Sequence, residues 1–168
     1  MVLLSQTWDQ IIPPVKTDAI GYIGLKYLDD MSKMVYTVNA KNIGNVTGIY
    51  FYLEDRNHND TVVLELLKAE SKHKSDNAKI VNISTEGKTS GTLSVGGATK
   101  KGLEGLLKGK SIEDLHELMV KGKLYVSIHT KDFPNGEIRG NSFVGMHRLF
   151  PDDADIKWKW RKWSYLKL

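Results

Sequence analysis

Residues 122–141 read GKLYVSIHTKDFPNGEIRGN, two strand-like segments joined by a turn. Residues 124–130 are rich in β-branched and aromatic side chains, which favour strands. Pro134, Asn135 and Gly136 follow as a turn signal, because proline presets φ while asparagine and glycine tolerate positive φ. Residues 137–144 then return as a second strand. The stretch predicts an antiparallel β-hairpin.

The rest of the chain repeats this pattern of short apolar runs between polar turns, which is typical of an antiparallel sandwich or barrel. One helix is predicted at about 111–121, because Ser111 is an N-cap candidate with Asp114 three residues on, and Gly122 is placed to end it. The glycine-rich residues 96–109 are predicted to be a flexible connector. Further strands are predicted over residues 19–28, 34–38, 46–53, 61–67, 79–83 and 91–95.

Composition narrows the class of protein. The chain has 168 residues, 40% hydrophobic and 26% charged, which predicts one folded domain. It has no cysteine, so disulfides, thiolate metal sites and cysteine nucleophiles are excluded. The net charge of +4 is mild. The first residues lack the basic flank and apolar run of a signal peptide, so we expect a cytosolic chain or a mature form without its leader.

The hairpin sequence closely resembles the hallmark of the chordin-type (CHRD) domain, a tyrosine-containing strand running into His-Thr and then Pro-x-Gly-Glu-Ile-Arg-Gly. The similarity extends over about residues 18–147 and is closest to the single-domain prokaryotic and archaeal form. It implies an all-β, antiparallel Greek-key sandwich of the immunoglobulin-like or Cu,Zn superoxide dismutase-like kind. It also implies a secreted or cell-surface protein with no established enzymatic activity. We therefore predict an N-terminal arm (1–17), a CHRD domain (18–150) and a C-terminal tail (151–168).

One departure from the family bears on metal binding. Members commonly carry His-x-His on the third strand, where this chain has Tyr50 and Tyr52, so that only His129 remains. Neutral phenols are weak metal ligands, so we predict no metal and no cofactor. His129 is interpreted either as the polar centre of a small binding site with Tyr50 and Tyr52 or as a structural histidine that fixes the turn at 134–136.

Arg139 and Glu137 alternate along the returning strand and are expected to share a face. They are interpreted either as binding residues, with Arg139 as an anion clamp, or as an internal ion pair or backbone tie that locks the sandwich. The sequence contains no Ser–His–Asp pattern, no Gly-x-Ser-x-Gly motif and no paired-histidine motif, so no catalytic residue is assigned.

The tail from 156 to 168, IKWKWRKWSYLKL, interleaves tryptophans with cations. Trp158, Trp160 and Trp163 are candidate surface-contact residues. They suit an anionic membrane or polymer, a partner chain, or packing against the chain's own sandwich. Three Asn-x-Ser/Thr acceptor patterns, at Asn45, Asn59 and Asn82, are typical of an extracytoplasmic protein.

Together these features predict a non-enzymatic, extracytoplasmic binding or structural module with a protein or surface-assembly partner and no nucleic acid. Two alternatives stay open. One is a copper-binding or redox protein that uses His129 with Tyr50 or Tyr52. The other is a binder of anionic polysaccharide or membrane surfaces that acts through the tail.

Overall fold

Short antiparallel strands account for most of the secondary structure. The structure is a computed structural model that describes residues 2–4, 15–55, 59–68, 79–80 and 87–141. Within these ranges the chain forms the strands β1 (Val2–Leu4), β2 (Ile20–Tyr27), β3 (Lys33–Ile43), β4 (Val46–Leu53), β5 (Thr61–Lys68), β6 (Lys79–Ile80), β7 (Thr89–Thr99), β8 (Leu124–Thr130) and β9 (Ile138–Asn141).

The strands form two sheets. One has the order β1-β2-β3-β7-β6 and the other the order β5-β4-β8-β9. Every pairing is antiparallel, including the β8–β9 hairpin of the hallmark stretch. The all-β antiparallel sandwich predicted from the sequence is confirmed.

Buried and partly exposed side chains alternate along the strands, and this alternation explains how the two sheets share a core. β3 buries Met34, Tyr36 and Val38 while the residues between them stay partly exposed. β4 in the other sheet buries Ile49 and Phe51 completely. Because successive side chains point to opposite faces of a strand, each sheet has one core face and one outer face.

The predicted helix is confirmed as α1 (Ile112–Val120). Ser111 and Asp114 form a capping box, in which each side chain bonds the other residue's backbone N–H. Gly122 has φ 64°, the left-handed conformation that ends helices. Leu115 is completely buried on the core side of the helix. Within the described ranges, no helix is long and apolar enough to cross a membrane.

Two segments differ from the predictions made from their local sequence. The glycine-rich residues 96–109 are not a flexible connector. Their first part belongs to β7, and the 3-10 turns Lys100–Gly102 and Gly105–Leu107 follow. Leu103 and Leu107 are 3% and 5% exposed, so apolar anchors between the glycines hold this segment against the core. Val2–Leu4, inside the predicted arm, pairs with β2. The predicted domain boundaries remain predictions.

A buried hydrogen bond between the sheets gives a test of the packing. The Tyr36 hydroxyl donates to the Leu66 carbonyl at 2.8 Å. Tyr36→Phe removes this donor, and the other side-chain donor to that carbonyl, the Ser94 hydroxyl, lies 3.5 Å away. We expect the free energy of unfolding to fall by about 1 kcal/mol in urea denaturation, with the m-value unchanged. An unchanged free energy would contradict this hydrogen bond.

Candidate functional site

The outer face of the four-stranded sheet carries a concentration of aromatic side chains. The pairing of β4 with β8 places Tyr52 opposite Tyr125 and Gly48 opposite His129. Tyr50 lies two residues before Tyr52 and so shares its face. The register therefore brings side chains from two strands, more than 70 residues apart in sequence, onto one patch.

We call Tyr50, Tyr52, Tyr125 and His129 the aromatic cluster. The Tyr52 ring is nearly parallel to that of Tyr125, with centroids 5.1 Å apart, and to that of His129, with centroids 5.9 Å apart. Tyr50 meets His129 and Tyr52 edge-on, at 5.2 Å and 6.2 Å. Aromatic pairs in these geometries contribute about 0.5–1.5 kcal/mol each beyond area burial. These contacts restrain the four rings relative to one another.

Gly48 makes room for this arrangement. A Cβ atom at Gly48 would collide with the ring and hydroxyl of Tyr50. Tyr50 therefore leans over the bare backbone of Gly48, toward the His129 ring on the neighbouring strand. A larger residue at Gly48 would displace Tyr50 from the cluster.

His129 is held through both ring nitrogens. Nδ1 lies 2.7 Å from the Pro134 carbonyl oxygen, and Nε2 lies 3.3 Å from the Tyr52 hydroxyl. Because a carbonyl can only accept, Nδ1 carries the proton and Nε2 accepts from Tyr52. Burial lowers the pKa of His129, although its bond to Pro134 opposes that shift. The imidazole therefore fixes the hairpin turn and belongs to the cluster, so the two interpretations of His129 are compatible.

Arg139 continues the row of rings onto β9. Its guanidinium carbon lies 3.7 Å from the centroid of the Tyr125 ring. The Nε atom is buried without a hydrogen-bond partner. Among the described residues no carboxylate forms an ion pair with Arg139. Within the described part of the chain, the Arg139 cation is thus positioned by stacking on Tyr125 and has no carboxylate in ion-pair contact.

Glu137 does not share that face. Its carboxylate accepts hydrogen bonds from the hydroxyls of Thr17, at 2.7 Å, and Thr130, at 2.8 Å. Glu137 precedes β9, so strand alternation does not relate its side chain to that of Arg139. The expected common face and ion pair are absent between these two residues, and Glu137 ties the hairpin to the segment before β2.

Sequence reasoning missed two members of this surface. Tyr125 alternates with Ser127 and His129 on β8, and that period-2 pattern was the available signal. Its hydroxyl donates to the Asp60 carboxylate at 2.8 Å, and burial, with this hydrogen bond second, raises its pKa above the usual range. Asp60 also accepts from the backbone N–H of Asp55. No local signal marks Asp60, because its contact depends on how the β4–β5 connection folds.

The remaining candidates concern the tail and metal binding. Trp158, Trp160 and Trp163 lie outside the described residues. Within the part of the chain that the structure describes, no three histidine, cysteine or acidic side chains come together as a metal-binding group. The atom of the cluster best suited to a metal is Nε2 of His129, because Nδ1 is already held by a carbonyl. Its neighbours are phenols.

The chain matches the family model of the CHRD domain over residues 4–141, and it belongs to that family. CHRD domains occur in extracellular proteins and generally act as protein-binding modules, and the family is not known as enzymatic. A structural or binding role is therefore the general expectation for this chain. Comparison with curated proteins and with solved structures finds no match.

The burial of neutral His129 predicts a pH dependence of stability. Its pKa is lowered from 6.5 in the folded state, so the unfolded state binds more protons. This stabilisation is present above about pH 6.5 and is lost as the pH falls through the folded pKa. We expect the free energy of unfolding to decrease on acidification, and to decrease less in His129→Gln. Equal slopes in the wild type and His129→Gln would contradict the assignment.

The turn that holds His129 predicts a stability difference between two glycines. Gly136 has φ 113°, and a Cβ there would lie 2.5 Å from the Ser127 hydroxyl. Gly109 has φ 81° with open space around it. Gly136→Ala should cost about 2–3 kcal/mol, from strain plus the clash, and Gly109→Ala about 1 kcal/mol, from strain alone. Urea denaturation measures both, and equal costs would show that the turn does not pack on Ser127.

Proposed function

We propose that this chain is a non-enzymatic binding or structural module that works outside the cytoplasm and holds a protein partner on the aromatic cluster and Arg139. The observation that carries this proposal is the Arg139 guanidinium, which has no ion-pair partner among the described residues and stacks on Tyr125 at the end of a row of rings in contact. Membership of the CHRD family supports the general role.

The side chains of this surface are those that dominate protein interfaces. Tyrosine and arginine are enriched at interface hot spots, because they bury large areas with little loss of conformational freedom. Tyr50, Tyr52, His129 and Arg139 are each partly exposed, and their ring contacts already restrain them. Binding would therefore cost little further ordering.

The charges on this face predict which charged groups the partner's contact surface carries. One cross-strand row runs from Glu65 on β5 through Tyr50 and Ser127 to Arg139 on β9. Leu64 and Leu66, on either side of Glu65, are buried in the core, so Glu65 faces outward. The row spans three strand spacings, about 14 Å. A matching protein would place a carboxylate against Arg139 and a cation against Glu65.

The extracytoplasmic location rests on the occurrence of CHRD domains in extracellular proteins and on the Asn-x-Ser/Thr patterns. Asn59 is exposed at the β4–β5 connection, where a glycan can be accommodated. Asn45 is only partly exposed and sits in a turn with φ 51°. Asn82 lies outside the described residues. Protection of the chain from protease added to intact cells would contradict a surface location.

Site-specific photo-crosslinking tests the binding surface. Lys68 ends β5 beside the aromatic cluster, and Lys41 lies in β3 of the other sheet; both side chains are exposed. A photoreactive residue at Lys68 should yield a protein adduct among the secreted and surface proteins of the source cells, and one at Lys41 should not. Adding Arg139→Ala should weaken binding of the identified partner about tenfold or more, since hot-spot truncations cost about 2 kcal/mol. Arg139→Lys should lose less.

Two outcomes would count against this function. Adducts that form equally at both positions, or that survive Arg139→Ala unchanged, would show that this face is not the binding surface. Stoichiometric copper binding that is lost in His129→Ala would favour the copper-binding or redox alternative. The alternative that relies on the tail predicts co-sedimentation with anionic polysaccharide or vesicles that is lost on deletion of residues 156–168.

A further inference from the structure

A second surface feature lies at the end of the sandwich where four segments converge. It is an open pocket of about 530 Å³ between residues 16–18, the β3–β4 turn at 44–45, residues 87–88 before β7, and the β8–β9 connection. The pocket does not include the aromatic cluster or Arg139. Connections grouped at one end of a sandwich are common places for binding sites.

Glu137 is the most buried charged residue lining this pocket, at 6% exposure. Its two carboxyl oxygens accept one hydrogen bond each, from Thr17 and from Thr130. Both donors are neutral hydroxyls. Among the described residues no lysine, arginine or histidine forms an ion pair with Glu137. A buried carboxylate without a cation is costly, and each carboxylate oxygen has the lone-pair capacity to accept a second hydrogen bond.

The exposed rim of the pocket does not supply a positive charge for Glu137. Lys88 forms an ion pair with Asp18 and is therefore neutralised within the rim. Lys16 is exposed, so its ammonium group is free to extend into water. Asp132 adds a further carboxylate at the rim. The deep part of the pocket is thus the acidic part.

Two further groups suit a cation with an alkyl chain. Phe133 lines the same pocket and offers an aromatic surface for an ammonium group and its methylenes. Asn45 also lines the pocket, and its Oδ1 is a buried acceptor that has no donor among the residues that the structure describes. A side-chain rotation at Asn45 would give that oxygen a donor from an incoming ammonium group.

We propose that this pocket binds a primary ammonium group on an alkyl chain, with the Glu137 carboxylate as its counter-charge. The group comes from a free small amine or from a lysine side chain of another protein. Recognition is by charge-assisted hydrogen bonds to Glu137, with alkyl contact to Phe133. The site is independent of the aromatic cluster.

Titrations followed by backbone amide NMR shifts test the pocket in the full chain. The probes are Nα-acetyl-lysine methylamide and its Nε-acetylated analogue, which keeps the alkyl chain but has no charge. The charged probe should shift the amides of Asn45, Lys88 and Glu137, and the acetylated probe should not. Butylamine is the second arm. Tighter binding of butylamine favours a free amine, and tighter binding of the lysine probe favours a protein side chain.

Glu137→Gln removes the charge, keeps one acceptor oxygen for a threonine hydroxyl and places an NH2 donor against the other hydroxyl, which can accept from it. This variant should weaken binding of the charged probe at least tenfold. Glu117→Gln is the matched control, because Glu117 is an exposed carboxylate on α1 paired with Lys121, and should bind as the wild type does. If Glu137→Gln does not fold, the amide shifts that the charged and acetylated probes cause in the wild-type protein decide whether the pocket binds the ammonium group. Equal binding of the acetylated probe, shifts elsewhere, or no shifts would overturn the proposal. Arg139→Ala should leave amine binding unchanged. The proposal for this pocket and the proposal for the partner surface can therefore be refuted independently.

Discussion

The register between β4 and β8 is the constraint on which both the core and the candidate surface depend. It pairs Phe51 with Val126 and Ile49 with Ile128, all completely buried, and turns Tyr52 outward. A slip of one residue would reverse every side chain, burying the phenols and exposing the core. Burial of each large apolar side chain contributes about 1.5–3 kcal/mol, and each aromatic pair about 0.5–1.5 kcal/mol. The core therefore sets the register, and the aromatic cluster follows from it.

The β8–β9 hairpin serves two separate surfaces within one short stretch. His129 and Arg139 take part in the outer face, while Glu137, between them in sequence, turns to the end of the sandwich. The turn at Gly136 makes this possible, because its backbone packs directly against Ser127. Since Thr17 precedes β2 in the other sheet, its bond to Glu137 also joins the two sheets at that end. A single motif thus combines a structural tie with residues that face solvent.

Much of the architecture was predictable because its signals are local. Short runs of β-branched, aromatic and apolar residues between polar turns identified the strands, and Ser111, Asp114 and Gly122 marked the ends of the helix. Tyr50, Tyr52 and His129 were grouped through the family resemblance, and the structure places their rings in contact. Glycine content was a poor guide over residues 96–109, because it measures backbone freedom and not the burial of the leucines between the glycines.

The sequence by itself determined the strands, the helix, the family and the period-2 pattern that gives each strand two faces, because these are properties of neighbouring residues. Only the tertiary structure decided that Tyr125 bonds Asp60 across 65 residues and that Glu137 bonds Thr17 across 120. It also decided that Arg139 stacks on a ring instead of pairing with Glu137. Such contacts depend on strand register and on the paths of connections, which arise only when the two sheets close around one core.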